Sequence, residues 1–329
     1  MKNYLNNNHR SFQKAFMIGC LLIAAGAVCG QTDSSQATTS LDTTETPAAQ
    51  PMPTGKKPEK NTFDNMWILD NQTVMVPVKG TLQMDFMHRF GTWNNGYQDF
   101  FGLFGGINIR LGFNYVPIDK LLVGVSFTEY NLTWEGYAKY ALIQQTRDGS
   151  IPVSVTYYGN VAIDTKSDPN GTLYPHFSDR IMFFNQLLIA RKISDKFSVQ
   201  IAPSVTHVNT VPGYFPGDTT SDGNKVVDKA MNNDHYAIAF SGKMKLTNTL
   251  NLLVNYDQPL TKHKTGNPAP NISAGLEIIT TSHVFQIIVG NYRFITPSRN
   301  NYFNNNDPTG YHGLSSFLIG FNLIRLWNF

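Results

Sequence analysis

The chain alternates apolar and polar residues over most of its length, and the alternation continues to its last residue. Counting back from Phe329, the alternate positions Trp327, Leu323, Phe321, Ile319 and Phe317 are large and apolar, interrupted once by Arg325. Asn328, Asn322, Gly320 and Ser316 lie among the residues between them. A period of two puts the two sets on opposite faces of a strand, whereas a helical period mixes them. Farther back, Phe197, Val199, Ile201, Pro203 and Val205 alternate with Ser198, Gln200, Ala202, Ser204 and Thr206. Ile107, Ile109, Leu111, Phe113 and Tyr115 alternate in the same way with Asn108, Arg110, Gly112 and Asn114. Chain ends are usually polar and frayed. An apolar strand face kept to the carboxyl terminus therefore predicts a partner strand for the last residues.

About twelve such strands are predicted, an even number within the range of bacterial barrels. They begin near Gly80, Gly106, Lys120, Asn131, Ile151, Phe177, Lys196, His235, Asn248, Asn271, Ser282 and Gly313. Several are longer than the five or six residues usual in a soluble sandwich, long enough to cross a bilayer at a tilt. "VPIDKL", "RDGSI", "KISDKF", "KLTNTL" and "TTSH" read as tight turns after every second strand. Most of the other connections are long, among them "GTWNNGYQDFFGLFG" and "ITPSRNNYFNNNDPTGYHG". Short turns at one end and long loops at the other are the build of an outer-membrane barrel. The reading is an all-β, transmembrane, antiparallel up-and-down β-barrel over residues 80–329. Its short turns and both ends face the periplasm, and its longer loops face outward. Such a sheet loses its edges only when the last strand pairs with the first.

Composition agrees. Charged residues make up 15% of the chain and aromatics 12%, against about a quarter charged in an average globular domain. Residues 1–30 read as a Sec signal peptide, with Lys2, Arg10 and Lys14 ahead of the apolar run "AFMIGCLLIAAGAVC". Those residues carry three basic and no acidic side chains, so the 26 basic and 23 acidic residues of the chain become 23 and 23 without them. Near-neutrality gives no reason to expect a nucleic-acid partner. Both cysteines, Cys20 and Cys29, fall in the leader, so no disulfide or thiolate metal site is expected beyond it. A lipoprotein would begin at Cys29, but Val28 fits poorly before it. Residues 31–61, rich in Thr, Ser and Pro, read as a disordered periplasmic tether. Residues 62–79, anchored by Phe63, Trp67 and Ile68, are either a lead-in to the first strand or a plug for the lumen.

Parity along the strands turns Asp85, Arg89, Arg110, Glu135, Lys139, Arg180, Lys243, Lys245, Asp257 and Glu277 inward. Six are basic and four acidic. They can line a narrow aqueous path with a slight anion preference, or neutralise one another in a closed lumen. His88 and Arg89 end the first strand, either as a pore charge with a pH-sensitive neighbour or as a structural pair at the outer aromatic girdle. Asn322, Trp327 and Phe329 fit the polar–aromatic–aromatic pattern of a barrel-assembly signal, and Arg325 faces lipid near the periplasmic interface. His176 and Ser178 in "HFSDR" share a strand face by parity, as a lipase-like pair would. Asp218, Asp222 and Gly223 match part of a calcium loop, but Thr220 weakens it and Lys229 replaces its bidentate glutamate. His263, His283 and His312 lack metal-ligand spacing. "GLFGG" has no βαβ unit around it and reads as a flexible loop. No cofactor motif is present.

Four blocks resemble an uncharacterised family of Bacteroidota outer-membrane β-barrels. They are "GTLQMDFMHRFG", "LLIARKISDKFSVQIAPSVTHVN", "LEIITTSHVFQIIVGN" and "GFNLIR". The resemblance spans residues 63–329. It implies a barrel in the outer membrane of a Gram-negative cell; lipid surrounds such a barrel, the carboxyl-terminal signal is read by the insertion machinery, and small solutes are candidate partners of the lumen. It brings no established activity, so no catalytic residue is carried over. The functional expectation is a narrow passive channel for small solutes or a closed structural barrel. A surface receptor or adhesion barrel using the long loops is the alternative, with a lipid hydrolase third.

Overall fold

The computed structural model describes residues 57–217, 223 and 225–329. The leader, most of the tether, and Asp218, Thr220 and Asp222 of the calcium-like loop lie outside them. Twelve antiparallel strands close into one barrel: β1 (Thr81–Thr92), β2 (Asn108–Ile118), β3 (Leu121–Thr128), β4 (Thr133–Ile143), β5 (Ser154–Asp164), β6 (Ile181–Lys192), β7 (Phe197–Val208), β8 (Asp234–Lys245), β9 (Leu250–Pro259), β10 (Asn271–Ile279), β11 (His283–Gly290) and β12 (Leu318–Asn328). Each strand pairs with its sequence neighbours, and β12 closes on β1 from Asn328↔Thr81 to Leu318↔Thr92. The register slips between Leu318 and Gly320. There the Arg89 side chain crosses the seam, and a Cβ on Gly320 would lie 2.6 Å from Arg89 Cδ. Gly124 has a similar cause: its register partner Tyr137 folds over it, leaving 2.3 Å between a Cβ and Tyr137 Cε2.

The period of two separates the faces as expected. Phe113, Tyr115, Trp134, Tyr157, Phe183, Tyr236, Phe240, Val254, Ile287 and Val289 are exposed on the outside, the band that faces hydrocarbon in a membrane barrel. Their neighbours in sequence, among them Asn114, Glu135, Tyr158, Ser241, Asn255 and Gln286, are buried inside. Arg325 is outward and exposed, its guanidinium carbon 4.8 Å from the Trp327 ring centroid. Three readings need correction. The β4–β5 connection, read as tight at "RDGSI", spans residues 144–153. It pairs with the incoming chain through Pro58↔Thr146 and Arg147 N–H to Lys57 O at 3.0 Å. The sixth strand starts at Ile181, not near Phe177, and the twelfth at Leu318, not near Gly313, where a 3-10 turn runs over Gly313–Ser316. The Asp179 carboxylate accepts the His176 N–H at 2.8 Å and stabilises a 3-10 turn over Phe177–Arg180.

Residues 57–80 enter and leave at the short-turn end. Glu59 is held there by Lys192 at 3.0 Å, and Gly80 N–H bonds Val116 O at 2.9 Å. Between these points the chain rises into the lumen as a two-rung hairpin, Trp67–Ile68 paired with Asn71–Gln72. Phe63, Met66, Trp67, Ile68, Leu69 and Val74 are buried against inward Met87, Leu122, Leu188, Leu253, Ile288 and Ile324. Full burial of each such side chain contributes about 1.5–3 kcal/mol. At the other end the β11–β12 loop folds inward, and its short helix α1 (Pro297–Phe303) buries every residue from Pro297 to Tyr302.

Candidate functional site: the plugged lumen

Eight of the ten charges expected inside are buried within the barrel: Asp85, Arg89, Arg110, Glu135, Lys139, Lys243, Asp257 and Glu277. Arg180 is not among them. It sits on the 3-10 turn beyond β5, donating to Asp164 O at 3.1 Å and Lys166 O at 2.8 Å, with its guanidinium over the Tyr174 ring. Lys245 is half-buried at the short-turn end of β8. The buried set therefore holds four basic and four acidic groups, and the slight basic excess read from parity is gone.

These groups are bonded to the plug. Trp67 Nε1–H donates to Asp85 Oδ2 at 2.9 Å, and the Arg110 guanidinium carbon lies 4.9 Å from the Trp67 ring centroid. Asn65 donates to Glu277, and Gln286 donates to Trp67 O at 2.9 Å. Asn322 donates to Leu69 O at 2.8 Å, while Arg89 reaches the same carbonyl at 3.5 Å. Asn71 donates to Asp257 at 2.7 Å, and Asn255 to Asp70 at 3.1 Å. Gln200 clamps the second rung, donating to Gln72 O at 2.8 Å and accepting Val74 N–H at 3.1 Å. Lys243 grips the base of the plug at Asp64, 2.7 Å away. Wall charges also pair with one another, Arg110 Nε with Glu135 at 2.8 Å. A buried charge is tolerable only when paired and hydrogen-bonded; in this lumen much of that pairing comes from the plug.

The mouth at the long-loop end is closed by α1. Asn300 donates to Asp70 at 2.8 Å, joining loop to plug, and Arg299 pairs with Asp164. Tyr302 O–H donates to Asn232 O at 2.6 Å and its ring packs on His235 and His263. The two imidazoles are hydrogen-bonded to each other. Asn232 N–H donates to His263 Nδ1 at 2.9 Å, so the His263 proton is on Nε2. That N–H faces His235 Nδ1 at 3.0 Å. Burial holds the His263 imidazole below its ordinary 6.5.

The remaining predicted residues fall elsewhere. His88 and Arg89 point to opposite sides of β1, with His88 on the lipid face stacked on Phe321 at 5.2 Å. His88 is therefore not a lumen group. His176 and Ser178 do not share a strand face; both are exposed, His176 as the N-cap of the 3-10 turn and Ser178 on the turn itself. Asn322 faces inward and grips the plug, opposite in parity to Trp327 and Phe329. Among the described residues no group of three or more His, Cys, Asp or Glu is placed to hold a metal. His283 and His312 lie apart from the His235–His263 pair, and Lys229 of the calcium-like loop bonds Asn233 at 2.9 Å. The lumen also holds residues absent from the predicted set: Asn65, Asp70, Asn71, Gln72 and Asn300, together with the inward amides Gln83, Asn114, Asn160, Gln186, Gln200, Asn251, Asn255 and Gln286. The wall amides share the parity of the charged residues, a signal that finds them; the plug and loop residues have no periodicity.

Residues 63–327 match a family described as "Membrane bound beta barrel domain (DUF5777)". No curated protein matches in sequence. Three solved barrels are similar in structure. The NanC porin is 8% identical with a TM-score of 0.42, covering 75% of this chain and 99% of its own. The KdgM porin in complex with disordered oligogalacturonate is 9% identical with a TM-score of 0.43, covering 75% and 99%. The COG4313 outer membrane channel from Pseudomonas putida F1 is 11% identical with a TM-score of 0.43, covering 77% and 97%.

Proposed function

The chain belongs to this family of membrane-bound β-barrels, and on that premise we propose that it is an outer-membrane barrel closed at rest by its own amino-terminal segment. The resting role is structural. Conduction of small solutes requires residues 62–76 to leave the lumen and α1, which then loses its Asn300–Asp70 contact, to move from the opposite mouth. The carrying observation is that this segment supplies partners to wall groups from Glu277 and Lys243 at its base to Asp257 and Asn255 deeper in. An open porin leaves such groups to water. The seat combines six buried apolar side chains with a set of hydrogen bonds, and water can replace only the latter when the plug withdraws.

In this reading the short turns face the periplasm. A leader over residues 1–30 exports the chain, and the tether enters the lumen from the periplasmic side, where Glu59 meets Lys192. Asn322, Trp327 and Phe329 carry the assembly signal, Asn322 also serving the plug. With the plug out, the four basic and four acidic wall groups and the Arg299–Asp164 pair line the path, so ion selectivity is weak. Planar-bilayer recording tests this. The whole chain gives no steady conductance, a variant lacking residues 62–76 gives discrete steps, and adding Lys243→Glu moves those steps toward cations. Steady conductance from the whole chain, or silence from the folded deletion variant, overturns the proposal.

A further inference from the structure

The β1–β2 loop carries a cluster that the lumen does not use. Residues 93–105 hold Trp93, Tyr97, Phe100, Phe101, Leu103 and Phe104 with one charge, Asp99. That charge is occupied within the loop, accepting Asn95 Nδ2 at 2.9 Å and Gly102 N–H at 2.8 Å. The rings are presented outward: Tyr97 is 80% and Phe104 74% exposed, and Phe100 and Phe101 are exposed too. They pack on one another, with Phe100 centroids 6.1 Å from Tyr97 and 5.9 Å from Phe104.

This presentation is built into the backbone. Phe100 and Phe101 are consecutive left-handed residues at φ 52° and 55°, a conformation that costs a bulky side chain roughly 1–2 kcal/mol each. Phe101 N–H bonds Gly96 O at 2.6 Å, and Gly91 N–H bonds Gly102 O at 3.0 Å. A Cβ on Gly102 would stand 2.0 Å from Gly91 O, so the loop and the end of β1 meet at a point only glycine fits. Strain held in place by several backbone bonds implies that the outward rings serve a purpose.

Continuity identifies the surface they meet. On the lipid face of β1, Phe86 and His88 pack against Phe321 of β12. Phe90 continues the track, and Trp93 packs on Phe317, the next outward position before β12. The loop therefore extends an aromatic strip that begins in the hydrocarbon-facing band. Aromatic rings gather where barrel meets headgroup, and moving each ring out of water contributes about 1.5–3 kcal/mol. We propose that residues 97–104 form a membrane-interface anchor, with the rings of Tyr97, Phe100, Phe101 and Phe104 inserted among the acyl chains of the leaflet on the long-loop side.

Site-directed spin labelling tests this on the full chain. The two thiols are removed by Cys20→Ser and Cys29→Ser, and a nitroxide is placed through Phe104→Cys or, separately, Tyr97→Cys. Lys225→Cys, in another outer loop, is the aqueous reference. Folding is checked by the mobility shift on heating. In phosphatidylcholine vesicles, labels at 104 and 97 are expected to collide with oxygen in preference to a water-soluble nickel chelate, with a ratio several-fold above that at 225. Ratios equal to the reference overturn the proposal. Spin–spin broadening that vanishes on dilution with unlabelled protein overturns it in favour of a second copy of the chain.

Discussion

Trp67→Ala weakens the plug's seat without touching the barrel wall. Trp67 is buried, gives its indole N–H to Asp85 and lies under the Arg110 guanidinium. Truncating a buried tryptophan costs about 3–5 kcal/mol through lost transfer energy and the cavity left behind. A desolvated cation–π contact of about 2 kcal/mol falls within that sum. Asp85 is not stranded, because Gln83 at 2.6 Å and Asn114 at 2.8 Å still donate to it. At about 1.4 kcal/mol per decade, the ratio of withdrawn to seated plug rises by roughly two to three and a half orders of magnitude. Single-channel recording reads this as brief openings absent from the parent chain. Trp67→Phe keeps an aromatic ring but loses the pyrrole part with its N–H; the hydrogen bond alone is worth about 1 kcal/mol, about fivefold in that ratio, so its openings are rarer than those of Trp67→Ala. An open probability unchanged by Trp67→Ala refutes the reasoning. So does wholesale unfolding of the barrel, because the plug would then be part of the core and not a separable element.

The other expectations concern the wall, the latch and the seam. Arg110→Met leaves the buried Glu135 carboxylate with neutral donors only, Ser126 and Asn160 at 2.8 Å each, and costs about 3–5 kcal/mol, whereas Lys139→Met is neutral or stabilising, because Lys139 is fully buried with Gln72 at 3.2 Å as its hydrogen-bonded partner; the thermal midpoint in detergent falls for the first variant and not for the second. Gly124→Ala forces Tyr137 off its seat and lowers stability by about 1–3 kcal/mol, visible as a lower urea midpoint. His263 takes up its proton less readily folded than unfolded, so the unfolded loop binds more protons below 6.5 and stability of the His263 contacts falls as pH drops through that window. Hydrogen exchange at the Asn232 amide, corrected for intrinsic rate, therefore quickens between pH 7 and pH 5, and His263→Gln abolishes the trend. Truncation after Leu326 removes the rungs Trp327↔Leu82 and Asn328↔Thr81 at the closing seam and reduces the folded fraction in a heat-mobility assay.

What was legible in the sequence followed from the strand period. Strand starts at Thr81, Leu121, Phe197, Asn271 and His283 fall within a residue of those read from alternation, because one face had to be apolar throughout. The same parity put Asp85 and Arg89 inside. It failed where the backbone leaves the pleat: Arg180 lies on a 3-10 turn fixed by the Asp179 cap, outside any strand. The plug has no period because its hairpin has only two rungs and is shaped by the cavity around it. Helix α1, "PSRNNYF", carries no apolar stripe; its burial rests on Asn300 to Asp70, Arg299 to Asp164 and Asn301 to Ser204. Such contacts join residues far apart in the chain and leave no local pattern.

Amide hydrogen exchange of residues 63–76 in the membrane-embedded protein tests the central claim directly. Thr73 N–H to Met66 O and Val74 N–H to Gln200 are enclosed by the barrel, so these amides are predicted to exchange as slowly as those of β9 and β11. Exchange as fast as that of residues 57–60 would mean that the segment lies outside the lumen and that the barrel is open.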